Sequence, residues 1–302
     1  MYDIIGDVHG QADLLVDLLV RMGYTKSDKC YQHPTRKAIF VGDFINRGPQ
    51  IKRTIELVRA MVEQGAAYAI LGNHEVYALL YGLRDKLGKR LSNKPAQHRM
   101  NLSSTLREFD DDKKVWKSHV DWLRTLPLFL EIDGIRVVHA AWNDDAVQRL
   151  RAIAPDGRYT RKQLKTLAKG ETVEGNDFWE LCRGLDFTMP KDLMLFDLHG
   201  DSHSYFRRKW WESGENATFK SLSFDFRFSV PDYQIPRELI QYRAPYPEDA
   251  PIVFFGHYCI RKSKNIIRQN LCCLDSCVRK TGKLLAYRWD GEKELKKSNL
   301  FK

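Results

Sequence analysis

The chain has 302 residues, 43% hydrophobic and 29% charged, an ordinary globular mix that excludes disorder, collagen and coiled coil for the chain as a whole. A chain this long hides roughly three quarters of its unfolded surface, so it needs no disulfides, and no apolar run approaches the length of a membrane-spanning helix. The net charge of +10 is concentrated at the end, with twelve Lys/Arg against four Asp/Glu from His257 to Lys302; this suits an anionic partner (nucleotide, nucleic acid or phosphoprotein) or a merely solvated Lys-rich tail.

In chain order, DIIGD at 3–7 reads as a short buried strand running into a Gly turn. Residues 12–22 are apolar at helical spacing. AIFVGD at 38–43 is a second apolar run stopped by Gly, and 49–65 opens with Pro and closes with Gly, as helices do. AAYAILGNHE at 66–75 repeats the strand-then-loop pattern. Three such units predict an α/β fold with a largely parallel central sheet. LFLEI (128–132), Asp133-Gly134 and 135–142 predict a hairpin. Residues 155–250 lose regular periodicity and hold six of the 11 prolines, which predicts an insertion or cap within a single 1–302 domain. The core resumes with IVFFGH (252–257), LCCLD (271–275) and LLAYRW (284–289).

None of the six cysteines forms a Cys-x-x-Cys pair, and MYDIIGDVHG is not a secretory leader. Free thiols in a reducing cytoplasm are the expectation.

Each core strand ends in a loop carrying a ligand-type side chain: Asp7 and His9 in GDVHG, Asp43 in VGDFINRG, Asn73 and His74 in LGNHE, His139 in VVHAAW, His257 in FFGHY. Side chains at strand ends of an α/β sheet project into the crevice where ligand sites form. Oxygen and imidazole donors without thiolates suit manganese, iron, zinc or similar ions. Any one fragment alone is an ordinary loop; five in this order are not.

These motifs, in this order, resemble the calcineurin-like metallophosphoesterases, and are similar to the phosphoprotein-phosphatase branch that includes bacterial diadenosine tetraphosphate hydrolases. The resemblance covers 3–142 and 252–289, and LDSCVRKTGKLLAY (274–287) looks like that branch's terminal hairpin. It implies an αββα sandwich with a cap-like insertion and two divalent metal ions: manganese expected, iron, zinc, cobalt or nickel compatible. Asp7, His9 and Asp43 would hold the first ion. Asp43 would bridge to the second, completed by Asn73, His139 and His257. A hydroxide shared by the ions would attack phosphorus, Arg47 would clamp the phosphate oxygens, and His74 would act as general acid.

The chain departs from that pattern twice. Asn46 stands where the branch has aspartate beside the catalytic histidine, so an amide orients His74 without charging it. Cys259 stands where nuclease-like members have a second histidine after Gly-His, and is expected to be a small buried residue. In the insertion, Arg207 and Arg208 are candidate ligands for a second phosphate, and Trp210 or Trp211 for a stacked base. His199 and His203, four apart, have the spacing of ligands on one helix face. The expected function is a cytoplasmic metal-dependent phosphoesterase acting on phosphate esters or nucleotide polyphosphates. Its rivals are a protein or nucleic-acid phosphomonoesterase and a degenerate anion- or RNA-binding module.

Overall fold

In the computed structural model the described residues are 1–83, 99–197, 200–224, 229–240, 244–260 and 264–302. Two compact units result: Met1–Arg183 with Pro251–Lys302, and Gly184–Ala250.

The first unit is built on two five-stranded sheets. One runs in the order Leu300–Phe301, Ala286–Trp289, Tyr2–Ile5, Lys37–Phe40, Ala67–Ala69. The other runs Ile266–Arg268, Leu271–Cys273, Ile252–Phe255, Ile135–Val138, Phe129–Ile132. Strand alternation explains the shared core. Tyr2 and Ile4, Ile39 and Val41, Tyr287 and Trp289 point one way from the first sheet, and pack with Ile135, Val137, Ile252, Phe254 and Cys272 of the second. The rings of Phe254 and Tyr287 are 5.1 Å apart across this layer. On the other face of the first sheet, the helices Ala12–Arg21 and Ile51–Glu63 bury Leu15, Leu18, Leu19, Ile55, Val58 and Met61. This is the sandwich that the family resemblance implies.

Two local expectations change. The sheet is not largely parallel: only the pairs among 2–5, 37–40 and 67–69 in the first sheet, and among 135–138, 252–255 and 271–273 in the second, run parallel. The segments 271–273 and 286–289 do not form a hairpin. The first pairs with 252–255 and the second antiparallel with Tyr2–Ile5, so the turn at 278–282 crosses between sheets. The basic C-terminal stretch is therefore woven into both sheets rather than being a solvated tail.

The second unit is narrower than the predicted insertion. Residues 161–167 and 173–183 are helices of the first unit, burying Leu164, Leu167, Phe178 and Leu181. Gly184–Ala250 has its own small core of Phe187, Met189, Leu195, Phe206, Phe219 and Leu222, around the paired strands Leu185–Thr188 and Tyr205–Arg208.

Candidate metal centre

Parallel strands deliver their C-terminal loops to one edge, and backbone bonds lock the loops together. His9 N donates to Asp43 O at 2.8 Å, and Gly256 N to His139 O at 2.9 Å. His9, Asp43, Asn46, Arg47 and His257 all have positive φ, between 45° and 68°. Non-glycine residues rarely adopt that region, and it concentrates where surrounding structure holds strain in place for function. Gly256 is required here, because a Cβ would collide with Asp7 Oδ1.

Asp43 lies at the centre. Its Oδ2 is 3.5 Å from His9 Nε2 and its Oδ1 is 3.4 Å from His139 Nε2, while Oδ1 also accepts the His74 amide at 3.0 Å. Asp43 belongs to both candidate ligand groups: with His9 and His74, and with His139 and His257. Asn73 Oδ1 is 3.1 Å from His139 Nε2. Asp7 Oδ2 accepts the His257 amide at 3.1 Å, and Asp7 Oδ1 is buried with no partner.

This donor set fits cations. His9 Nδ1 lies 3.1 Å from Ile45 O and His139 Nδ1 2.8 Å from Val41 O. Carbonyls accept, so each Nδ1 carries the proton and each Nε2 presents its lone pair inward, the usual arrangement of a metal-ligating histidine. At His139 that lone pair faces oxygens of Asp43 and Asn73, which repel it unless a cation or proton intervenes. Burial lowers the His139 pKa, but Asp43's charge outweighs it and lifts the group to about 10. Burial, then the charge of Asp275, pushes Asp7 well above the usual carboxylate range. Buried carboxylate and amide oxygens facing imidazole lone pairs are the donor chemistry that suits divalent ions.

At the mouth, Arg47 places NH1 2.9 Å from His9 Nε2 and NH2 3.1 Å from His74 Nε2. Asn46 is fully buried, with Nδ2 2.6 Å from His74 Nδ1. Thr105 Oγ1 accepts the Asn46 amide at 3.2 Å and donates to Asn46 Oδ1. That pairing aims the Asn46 NH₂ at His74 Nδ1, while the Arg47 NH2 donor lies 3.1 Å from His74 Nε2. Both ring nitrogens thus face donors, and a neutral imidazole accepts at only one of them. Burial first, then Arg47's charge, lowers the His74 pKa to about 4.

A model of the family described as calcineurin-like phosphoesterase matches residues 2–261. The chain belongs to this family. It is 33% identical over 141 residues to a bis(5'-nucleosyl)-tetraphosphatase PrpE [asymmetrical] of Oceanobacillus iheyensis, covering 46% of this chain and 54% of that protein. It is 30% identical over 180 residues to the protein of that name from Bacillus subtilis, covering 57% and 66%. The chain thus spans about half the length of the first and two thirds of the second. Among solved structures, a cold-active protein-tyrosine phosphatase of a psychrophilic Shewanella species superposes with a TM-score of 0.50 at 13% identity, covering 97% of this chain and 79% of that one; this likeness concerns the fold.

Three features of this calcineurin-like site were not anticipated from the sequence. Glu75, in the GNHE motif, is fully buried and accepts from Asp43 N at 2.7 Å, Phe44 N at 2.9 Å, Ile45 N at 3.3 Å and Gly72 N at 3.0 Å. Burial and Asp43's charge raise its pKa to about 7, against those amides. One carboxylate thus shapes the whole GDFINRG turn, a use visible in sequence only as a Glu at the third position of a helix. Asp275 is buried with Oδ1 accepting Cys277 N at 2.8 Å, and burial raises its pKa. It follows a core strand just as Asp7 does, which is the signal that could have found it. Thirdly, a wall extends past His74: the Tyr77 ring is 5.9 Å away, Trp179 is 6.2 Å from Tyr77, and Arg183 sits 5.6 Å over Trp179. Trp179 and Arg183 are four apart on one helix, inside a stretch read as irregular.

Other expectations need correction. Cys259 is not a free buried thiol but is disulfide-bonded to Cys277. Both follow adjacent parallel strands, which brings their Cα atoms to 4.8 Å, about the spacing of neighbouring strands. Cys30, Cys182, Cys272 and Cys273 are free and buried. In the second unit Arg207 is engaged with Asp186 at 3.1 Å, and Arg208 is buried, so neither is presented as an open phosphate ligand. Trp210 and Trp211 are buried and stand at 84° to each other, as core rather than as a stacking face. His203 lies on a two-residue strand, paired with Asp197 at 3.1 Å, not on a helix; His199 lies outside the described residues.

Replacing Glu75 by Gln tests the cradle. The new NH₂ would face amide donors at close range, leaving buried donors unsatisfied at a cost of about 1–3 kcal/mol. We expect Tm to fall by several degrees and metal affinity to weaken with it. An unchanged melt and unchanged metal titration would remove Glu75 from the site's support.

Proposed function

We propose that this chain is a dinuclear metal-dependent phosphoesterase that hydrolyses nucleotide polyphosphates, diadenosine tetraphosphate being the favoured substrate. The observation that carries it is Asp43, shared by two candidate ligand groups, one of which includes His74, the hydrogen-bond partner of Arg47. The relatives' names support the substrate class. Asp7, His9 and Asp43 would hold one ion, and Asp43, Asn73, His139 and His257 the other, manganese being the ion of first choice. Bound there, divalent ions supply Lewis acidity and a nucleophile at neutral pH.

The chain's own groups do the rest. Arg47's fork takes the non-bridging phosphate oxygens, to which a planar bidentate donor is matched. With the Arg47 fork engaged on phosphate, His74 would carry its proton on Nε2 for the leaving oxygen, Nδ1 accepting from the Asn46 amide. Thr105 and Ser104 fix that loop from behind, Ser104 Oγ accepting Arg47 N at 3.2 Å. No helix among the described residues is long and apolar enough to cross a membrane. We place the protein in the cytoplasm on its four free thiols; the Cys259–Cys277 bond is the observation that stands against this.

The test is hydrolysis by manganese-loaded protein of diadenosine tetraphosphate, p-nitrophenyl phosphate, a phosphopeptide and 3′-phosphorylated RNA. Tetraphosphate cleavage is expected to give the highest kcat/KM. Preference for the phosphopeptide or RNA would replace this reading with a phosphomonoesterase, and no turnover of any would favour a binding module.

The Asn46 substitution has its own signature. With a pKa near 4, His74 is neutral over pH 5–8, and its imidazolium fraction is lost as pH rises through that value. A carboxylate beside Nδ1 favours the charged ring and raises that pKa. Asn46→Asp should therefore lift turnover of an alkyl phosphate by a few-fold to tens-fold and extend its alkaline limb, within the 10²–10⁴ that general acid catalysis contributes. p-Nitrophenyl phosphate, with a good leaving group, should respond far less. Parallel pH–rate profiles for both substrates would refute acid support at this position.

A further inference from the structure

Arg207 is paired and Arg208 buried in their own unit, so other cations are better candidates to hold the rest of a polyphosphate. A cleft of about 480 Å³ offers them. One wall is the helical turn Ser103–Glu108, through Ser103 and Arg107. The next two residues after Ser103 are Ser104 and Thr105, which hold the Arg47 and Asn46 amides. Another wall is Tyr81, on the helix that begins at Asn73 and His74. Eight residues of helix from Asn73 to Tyr81 is about 12 Å of rise. The cleft thus borders two elements that also support the candidate metal centre.

Its chemistry is mixed. Trp116 lies half-buried against the fully buried Phe109 ring, centroids 5.2 Å apart, and with Tyr81 gives an aromatic lining. Arg99, Arg107 and Lys113 surround it, opposed by Asp110, which pairs with Lys113 at 3.6 Å. Among the described residues neither Arg99 nor Arg107 has an acidic partner. An aromatic lining with arginines that have no acidic partner among the described residues matches a planar base carrying phosphates: stacking is available for the base and forked donors for the anion.

We propose that this cleft is the subsite for the far nucleotide of a dinucleoside polyphosphate whose scissile phosphate lies at Arg47 and His74. This rests on the polyphosphatase reading above, and the experiment separates the two. Manganese-loaded wild type and the Arg99→Ala/Arg107→Ala double variant are assayed on diadenosine tetraphosphate and p-nitrophenyl phosphate. Both arginines are exposed, so the fold should be retained, which circular dichroism and a melt check. KM for the tetraphosphate should rise roughly 10- to 100-fold, since each lost charge-assisted bond is worth about tenfold. Its kcat, and KM for p-nitrophenyl phosphate, should change by less than about 3-fold. Arg99→Lys/Arg107→Lys should recover part of the loss. An unchanged tetraphosphate KM, or equal rises for both substrates, overturns the subsite. If wild type cleaves p-nitrophenyl phosphate but not the tetraphosphate, the polyphosphatase reading falls, and calorimetry with ATP then judges the cleft alone: affinity at least tenfold weaker in the double variant upholds it, equal affinity ends it.

Discussion

Asp43→Asn is expected to abolish phosphoesterase activity, by roughly 10³-fold or more, since the metal contribution amounts to several kcal/mol of transition-state stabilisation. The reason is geometric. Asp43 is the one residue shared by both candidate ligand groups, with oxygens 3.4–3.5 Å from the inward nitrogens of His9 and His139. The amide can still accept the His74 N–H that Asp43 Oδ1 accepts at 3.0 Å, so the fold should survive. It cannot present a negative oxygen to both groups. Elemental analysis should show metal content falling from about two ions per chain to one or none. The metal-free melt adds an independent sign. Burial disfavours the Asp43 charge, but His139, His74 and His9 outweigh it and hold the carboxyl well below the usual carboxylate range, so at neutral pH that charge stabilises the fold. The metal-free variant should therefore melt lower than metal-free wild type. The further stabilisation on adding Mn²⁺, which follows from binding to the folded state alone, should be lost as well. Full metal occupancy with wild-type turnover would sink the shared-ligand assignment.

Arg47→Ala is expected to cost about 2–4 kcal/mol in kcat/KM, as loss of an oriented donor to developing charge does. Metal content should stay unchanged, because Arg47 contributes no ligand atom and approaches His9 and His74 only as a donor. Its side chain is exposed while its backbone is gripped by Ser104, so truncation should not disturb the loop. Arg47→Lys should recover only part of the loss: it restores the charge but not the fork. If the metals leave with the side chain, Arg47 is a structural residue, and the clamp must be sought at Arg183, the cation at the far end of the Tyr77–Trp179 wall.

The sequence by itself determined the candidate donor set. A ligand-type residue after an apolar run and beside glycine is a local pattern, and local patterns survive without knowledge of partners. Asp7, His9, Asp43, Asn73, His139 and His257 stand out as candidates for that reason, as do Arg47 and His74, and the two-sheet fold followed from the family resemblance that these motifs carry. What tertiary structure decided is which segments become neighbours. Periodicity reports which face of a strand is buried but not the strand beside it, so 271–273 and 286–289 could be taken for a hairpin although they lie in different sheets. The same blindness hid the Cys259–Cys277 bond, made by loops that follow adjacent strands, and the entry of Asp275 beside Asp7. Glu75 was visible as a helix-start residue, but only the folded GDFINRG turn shows its carboxylate collecting four backbone amides. Arg207 and Arg208 looked available because a sequence displays charge without its partners; folding supplied Asp186 to one and burial to the other.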